Sequence, residues 1–324
     1  MKAVVLVGGE GTRLRPLTLT TPKQMLPIGG RPMIERVMDW LASHGVDEAV
    51  LSLGYRPDAF LKAYPGGECS GVRLQYAVED SPLDTAGAIR FAATEGGLSE
   101  TFVVVNGDVL TGLDVSGLVA FHRRNGAEAT IALTPVEDPS AFGVVPTRDD
   151  GQVIAFIEKP PPGEAPTNFI NAGTYVLEPS VLDRIPAGRR VSIERETFPA
   201  LVAEGRLYAL GSDSPWLDAG TPKAYLAANL AYAPPEERSW PGGGVARASV
   251  VGDDVTVGAG AVVERSVVMD GADIGENVVV LDSVIGPGAR IGAGARVEQL
   301  SVIGDRWTVE AGAVLSAARL PQPS

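Results

Sequence analysis

Three glycines, and behind them three cations, mark the opening stretch of the chain, MKAVVLVGGEGTRLRPLTLTTPKQMLP. Gly8, Gly9 and Gly11 stand directly after the apolar run Ala3-Val4-Val5-Leu6-Val7, and Arg13, Arg15 and Lys23 follow. Glycine has no Cβ, so a loop built from it lets backbone N–H groups approach a ligand closely. Successive N–H groups in such a loop form a concave anion site. The cations add full positive charge, and the combination reads as a cradle for phosphate. Two better-known cradles are excluded. The string G-x-x-x-x-G-K-[ST] is absent, and a G-x-G-x-x-G fingerprint starting at Gly9 and Gly11 meets Leu14 at its last position.

A second kind of chemistry stands further on. The apolar run from Thr101 to Val105 ends in Asn106-Gly107-Asp108. A carboxylate after a glycine at the end of a central strand is placed to hold a divalent cation at the ligand edge of an open sheet. On its own the tripeptide is also a good turn. The apolar strand before it and the cradle upstream give it weight. His44 and His122 fall on predicted helices and need no catalytic role.

The elements that must position these groups alternate. A first strand leads to a helix over Arg31–Gly45, with Ile34, Val37, Met38 and Leu41 on one face, then strands at Ala49–Leu53 and Leu74–Val78. Strand–helix–strand order predicts a parallel sheet. A loop, Ser81 to Thr85, feeds a helix expected from Ala86, with Asp84 or Thr85 as its cap. Helix Leu118–Asn125 and strand Ala129–Thr134 follow. A hairpin-like segment leaves at Phe142–Val145 and returns at Val153–Ile157, and a strand begins at Asn171. A capped helix starts at Ser192, a strand spans Leu207–Gly211, and Thr221-Pro222 opens a last helix.

Prolines and glycines over 234–244 then break the pattern. Beyond them small aliphatic residues recur every six positions, as at Val251, Val257 and Val263. The triplet Ser-Val-Val/Ile returns at Ser249, Ser266, Ser283 and Ser301, at intervals of 17, 17 and 18. Period six predicts a β-helix of about four coils over 245–324, three short strands to a coil, with the aliphatic column inside.

Composition narrows the class. A chain of 324 residues has room for two domains, with 1–233 before the 234–244 linker. A net charge of −13 argues against a nucleic-acid binder, although a small nucleotide site can be positive on an acidic protein. Cys69 is the single cysteine, so neither an intrachain disulfide nor a cysteine zinc site can form. Met1 leads straight into a strand, and no run of eighteen apolar residues occurs, so the expectation is a cytoplasmic protein without membrane association.

The pattern G-G-x-G-T-R-L-R-P-L-T followed by P-K-x-M-L-P resembles the sugar-1-phosphate nucleotidyltransferases, and among them most closely the mannose-1-phosphate guanylyltransferases. The ordered series F-G-V, E-K-P, N-A-G and W-x-D-x-G-T-P extends the resemblance over nearly the whole chain, and the tail is similar to the left-handed β-helices appended to many of these enzymes. The resemblance implies an α/β, Rossmann-like, mostly parallel mixed sheet flanked by helices, plus a C-terminal left-handed parallel β-helix. It implies transfer of a nucleotidyl group from a nucleoside triphosphate, GTP before others, to a sugar 1-phosphate, with Mg²⁺. Leu6, Gly8, Gly9, Gly11, Thr12, Arg13, Lys23, Glu79, Thr85 and Gly87 would bind nucleotide. Gly143, Glu158, Lys159 and Asn171 would line the sugar-phosphate pocket. Asp108 and Asp218 would hold the metal. Arg13 and Lys23 would act in catalysis with both aspartates. Asp84 stands where these enzymes commonly show glycine.

Other readings stay open. Glucose 1-phosphate with dTTP or UTP is the alternative substrate pair. A sugar-nucleotide sensor without turnover is disfavoured by the full set of aspartates and cations. Acyl transfer in the β-helix is disfavoured because no histidine follows His122. The tail, which carries no catalytic motif, is expected to support a homo-oligomer.

Overall fold

The computed structural model describes residues 1–322. Strands and helices alternate as the sequence predicts: β1 (Lys2–Leu6), α1 (Met33–Ser43), β2 (Glu48–Leu53), α2 (Pro57–Ala63), β3 (Val72–Val78), α3 (Asp84–Glu95) and β4 (Phe102–Asn106). Then come α4 (Val115–Asn125), β5 (Ala129–Pro135), β6 (Gly143–Val144), β7 (Ile157–Glu158), β8 (Phe169–Leu177), α5 (Phe198–Ala203) and β9 (Leu207–Gly211). One ten-stranded sheet takes in all nine strands and the short edge strand Glu68–Cys69, in the order β7-β6-β8-β4-β1-β2-β3-edge, with β5 and β9 branching from β8. β1 lies between β2 and β4 and is parallel to both. Its residues Ala3, Val4 and Val5 are fully buried, which fits an unbroken apolar run rather than an alternating one.

Some local differences have plain causes. α4 begins three residues before the predicted Leu118, because the Asp114 carboxylate accepts from Gly117 N at 3.0 Å and caps it there. α2 carries only a short amphipathic signal and escapes a sequence reading. The helix expected after Ser192 starts as a wide turn over Ile193–Thr197 before α5, with the Ser192 hydroxyl accepting from Arg195 N at 3.2 Å.

The chain divides into two compact units. The first is Met1–Gly9 with Ile34–Trp216, and the second is Glu10–Met33 with everything from Leu217 onward. The second unit thus holds the loop Glu10–Met33 together with α6 (Pro222–Leu230) and the tail. Fully buried Tyr225 on α6 donates its hydroxyl to Pro27 O, and Gly29 N donates to Asn229 Oδ1 at 3.0 Å.

The tail is a β-helix of strands stacked into sheets of six, five and four, parallel except for Arg238–Ser239, which pairs antiparallel at the start of the first. In the five-stranded sheet, Val250–Val251, Val267–Val268, Val284–Ile285, Val302–Ile303 and Arg319–Leu320 lie in register. The recurring serines are a buried ladder. Each hydroxyl donates to a carbonyl in its own coil, and Ser249 and Ser266 accept from the serine N–H one coil on, at 3.0 and 3.1 Å. The single interval of 18 is absorbed at Gln299 and Leu300, two consecutive residues of positive φ, where the matching turns at Arg265 and Asp282 have one.

Candidate active site

In the first unit, β1, β2 and β3 run parallel and end along one edge. A cavity of about 230 Å³ opens there, lined by Leu6, Gly8, Gly9, Ser52, Glu79, Asp84, Thr85 and Ala88. Ser52 and Ala88 carry no motif signal, and Ser52 lies inside β2, where sequence shows only a strand residue. Glu79 is held from both sides: the Ser52 hydroxyl donates to Oε1 and Leu83 N donates to Oε2, each at 3.0 Å. A Cβ on Gly54 would stand 3.0 Å from Gly8 O, so the side chain missing at Gly54 keeps the strand ends close. The Thr85 hydroxyl is engaged within the chain, donating to Glu194 Oε2 at 2.7 Å and accepting from Ile193 N at 2.8 Å. Gly87 does not line the cavity. Its absent Cβ would sit 2.7 Å from Arg189 O, which makes it the glycine that seats α3 against the segment at 189–191.

Asp84 resolves the departure from glycine. Its φ is +61°, the left-handed region, and its Oδ1 accepts from Thr85 N at 2.8 Å. Aspartate tolerates that region because its short polar side chain bonds locally. The backbone therefore takes a glycine-like conformation with a carboxylate attached.

Asp108 follows β4 by two residues. Gly107 N donates to Leu6 O at 2.9 Å, and a Cβ on Gly107 would meet Val7 Cγ1 at 2.6 Å. Only glycine lets this turn fold over the end of β1. Across β4 from β1, β8 pairs antiparallel and its register against β5 shifts between Asn171 and Tyr175. The N-A-G motif is that bulge. Asn171 Oδ1 accepts from Gly173 N at 2.9 Å, and Asn171 Nδ2 donates to the Tyr175 hydroxyl at 3.0 Å. Burial raises the Tyr175 pKa, so the hydroxyl stays protonated. Gly173 has φ +73°, and its missing side chain leaves room for Asn106 Nδ2, which a Cβ would meet at 2.6 Å. Gly143 and Glu158 are opposite each other in the β6–β7 pair. Lys159 has φ +50°, donates its N–H to Phe142 O at 3.0 Å, and holds its ammonium 3.7 Å from Glu158 Oε1.

The second unit carries the cationic loop. Gly11 is left-handed at φ +64°, and a Cβ there would press on Thr18 Cγ2 at 2.9 Å and on Lys23 Cβ at 3.1 Å. Thr12 and Arg13 lie on a single turn of tight helix, Thr12–Leu14, and Lys23 begins another, Lys23–Met25. The Arg13 Nη2 is 3.9 Å from Asp218 Oδ2, while Asp218 Oδ1 accepts from Gly220 N at 2.8 Å. Thr221 caps α6, its hydroxyl accepting from Ala224 N at 3.2 Å.

Among the described residues no group of three or more acidic, histidine or cysteine side chains clusters as a metal site. The candidate ligands are the two carboxylates. Magnesium is usually held by one or two carboxylates, with water and substrate phosphate completing its shell. Asp108 in the first unit and Asp218 in the second each offer oxygen donors of the kind that ion takes.

Residues 2–234 match the family model described as nucleotidyl transferase. The chain belongs to this family. Residues 241–323 of this nucleotidyl transferase match a second model, described as the GMPPB C-terminal domain. The mannose-1-phosphate guanylyltransferase of Mycobacterium tuberculosis is 47% identical over 227 residues, 69% of this chain and 62% of the relative. The mannose-1-phosphate guanyltransferase of Aspergillus fumigatus is 44% identical over 238 residues, 72% of this chain and 64% of the relative. These matches thus span less than two thirds of the relatives' length. The crystal structure of HddC from Yersinia pseudotuberculosis is 28% identical, with a TM-score of 0.62 over 71% of this chain and 99% of that one. HddC has also been solved complexed with GMP-PN, with the same degree of similarity. No helix among the described residues of the nucleotidyl transferase is long and apolar enough to cross a membrane.

Proposed function

We propose that this nucleotidyl transferase joins GTP to mannose 1-phosphate, forming GDP-mannose and releasing pyrophosphate. The observation that carries the reading is the identity of 47% over 227 residues and 44% over 238 residues to mannose-1-phosphate guanylyl- and guanyltransferases, beside the nucleotidyl transferase match at 2–234, which holds the glycine loop, the cavity and both aspartates. A phosphate oxygen of the sugar phosphate attacks the α-phosphorus of GTP, and the bond from that phosphorus to the bridging oxygen of the β-phosphate breaks. No general base is needed, because the attacking oxygen is already ionised. The protein's work is to position two anions and neutralise their charge.

In this proposal the nucleoside takes the cavity at Leu6, Gly8, Gly9, Glu79 and Thr85, with Ser52 holding Glu79 in place. Gly11, Thr12, Arg13 and Lys23 take the triphosphate, and the two cations face the charge that grows on the leaving pyrophosphate. Lys159 orients the sugar phosphate. Glu158 reads sugar hydroxyls, while Asn171 shapes the bulge beside them and reads hydroxyls with its remaining N–H. Asp108 and Asp218 would hold Mg²⁺, which supplies positive charge to the phosphates when bound. The proposal also includes a homo-oligomer and a cytoplasmic site of action, where nucleoside triphosphates are plentiful.

Pyrophosphate release over a panel of GTP, UTP and dTTP against mannose and glucose 1-phosphates tests the reading. The expected result is turnover greatest with GTP and mannose 1-phosphate. Greatest turnover with dTTP or UTP and glucose 1-phosphate would replace the substrate pair, and no turnover with any pair would return the chain to a binding role. Light scattering decides the oligomer, a monomeric mass being the contrary result.

A further inference from the structure

The last coil of the β-helix closes on the segment that carries Arg13. Arg319 lies on the terminal strand Arg319–Leu320, and its Nη1 donates to the carbonyl oxygen of Arg13 at 3.2 Å. The neighbouring strand ends at Gly304, whose N–H donates to Leu320 O at 2.6 Å. A Cβ built on Gly304 would stand 3.0 Å from Pro16 Cβ. Residues of two successive coils, 306 and 288 positions away in sequence, thus lie against the four-residue stretch Arg13–Pro16.

Leu14 is fully buried and Arg15 pairs with Glu10 at 3.1 Å, so the stretch is held on either side of the Arg13 carbonyl. Its local backbone bonds include Leu14 N to Gly11 O at 2.9 Å and Arg15 N to Thr12 O at 3.2 Å, which form only a single turn of tight helix. The Arg13 side chain is 62% exposed, so its aim depends on where its backbone sits. Any motion left in that backbone must be frozen when substrate arrives, and that entropy opposes the reaction. An anchor on the Arg13 carbonyl removes part of the cost beforehand.

We propose that the C-terminal coil positions the phosphate loop, with Arg319 as a positioning residue for Arg13. The inference rests on the reading of Arg13 as a phosphate-binding cation. Its consequence is that the β-helix is a working part of the catalytic machinery, although it carries no catalytic motif. Removing it would free Arg13 as well as altering assembly.

The test uses the full chain with Arg319→Ala and Arg319→Lys. Amide hydrogen exchange is measured without substrate, with the strands at 284–285 and 302–303 as internal controls. In Arg319→Ala the amides of Leu14 and Arg15 should exchange about fivefold faster, the worth of roughly one net hydrogen bond. The control strands should keep their wild-type rates. Arg319→Lys, which can still donate to the carbonyl, should restore most of the protection. In steady state, kcat should fall by a similar factor in Arg319→Ala, with KM for the sugar phosphate unchanged. Wild-type exchange at Leu14 and Arg15 in Arg319→Ala overturns the proposal, and so does loosening shared equally by the control strands. Unchanged kcat in a variant whose loop has loosened overturns it as well. Failure of the wild-type protein to release pyrophosphate with any substrate pair is a separate result: it removes the nucleotidyl-transfer reading and the catalytic role with it, while exchange still reports on the anchor.

Discussion

The Arg13 guanidinium lies 3.9 Å from the Asp218 carboxylate, in the space that Gly220 leaves by having no side chain. A Cβ on Gly220 would stand 2.7 Å from both Arg13 Nη2 and Asp218 Oδ1. In the proposed reaction both groups deal with phosphate charge, one as a cation and the other through a metal. Their spacing is therefore a functional quantity, and Gly220 sets it.

Gly220→Ala should lower turnover by roughly tenfold or more while changing thermal stability little. The atom most displaced is the far end of a flexible, mostly exposed arginine, so the fold yields at small cost. Steady-state kinetics and a melting curve on the same sample check this. A melting temperature that falls as steeply as the rate would make Gly220 a packing residue.

Asp218→Asn keeps the Oδ1 acceptor that Gly220 N uses and removes only the charge. Turnover with magnesium should fall on the order of a hundredfold or more, with the circular dichroism spectrum unchanged. Asp108→Asn should behave alike. A variant that retains near wild-type rate loses its place in the metal site.

Lys159, the proposed cation for the sugar phosphate, follows β7 and holds its ammonium 3.7 Å from Glu158 Oε1. Lys159→Ala should raise KM for the sugar phosphate several-fold and leave KM for the nucleotide near its wild-type value. An increase confined to the nucleotide KM is the outcome that contradicts the assignment.

Asp84 gives a stability test of backbone conformation. With φ at +61°, Asp84→Gly relieves the left-handed position but loses the bond to Thr85 N, and the two should nearly cancel. Asp84→Ala keeps the strained backbone and loses the bond, so it should cost about 1–2 kcal/mol. Denaturant titration should rank wild type and the glycine variant together, above alanine.

His122 makes stability depend on pH. Its ring is 1% exposed and is bonded to the Thr130 hydroxyl at 2.8 Å and to Glu178 at 3.0 Å. Burial holds its pKa below the ordinary histidine value, against the opposing pull of Glu178. The unfolded chain then binds the proton more tightly than the folded one. The stabilising contribution is full above about pH 6.5 and is lost as pH falls toward the lower folded pKa. Unfolding free energies measured at pH 7.5 and 5.5 should show this decline, and His122→Gln should flatten it. A wild-type profile with no greater slope than the variant's would remove His122 from the account.

Much of the architecture depends on residues that are neighbours in sequence, and such relationships can be read directly. An unbroken apolar run makes β1 a central strand, because a strand covered on both faces needs no polar alternation. The six-residue period marks the β-helix, since each short strand places its aliphatic residue in the same interior column. The Ser-Val-Val triplets mark the coil length for the same reason. The departure at Asp84 was visible as a residue type, and its left-handed backbone is the physical content of that departure.

Other relationships join residues far apart in the chain, and only tertiary structure decides them. Gly87, read in sequence as part of the nucleotide loop, also seats α3 on residues 189–191, a contact no local pattern encodes. Thr85 spends its hydroxyl on Glu194 and Ile193, more than a hundred positions away. Ser52 carries no motif, yet its position opposite Leu6 in the parallel register brings it to the cavity. The linker at 234–244 reads as a boundary because proline and glycine end a helix locally. Which distant surfaces pack is written in no local pattern, and packing joins the loop of Arg13 to α6 and to the coil of Arg319.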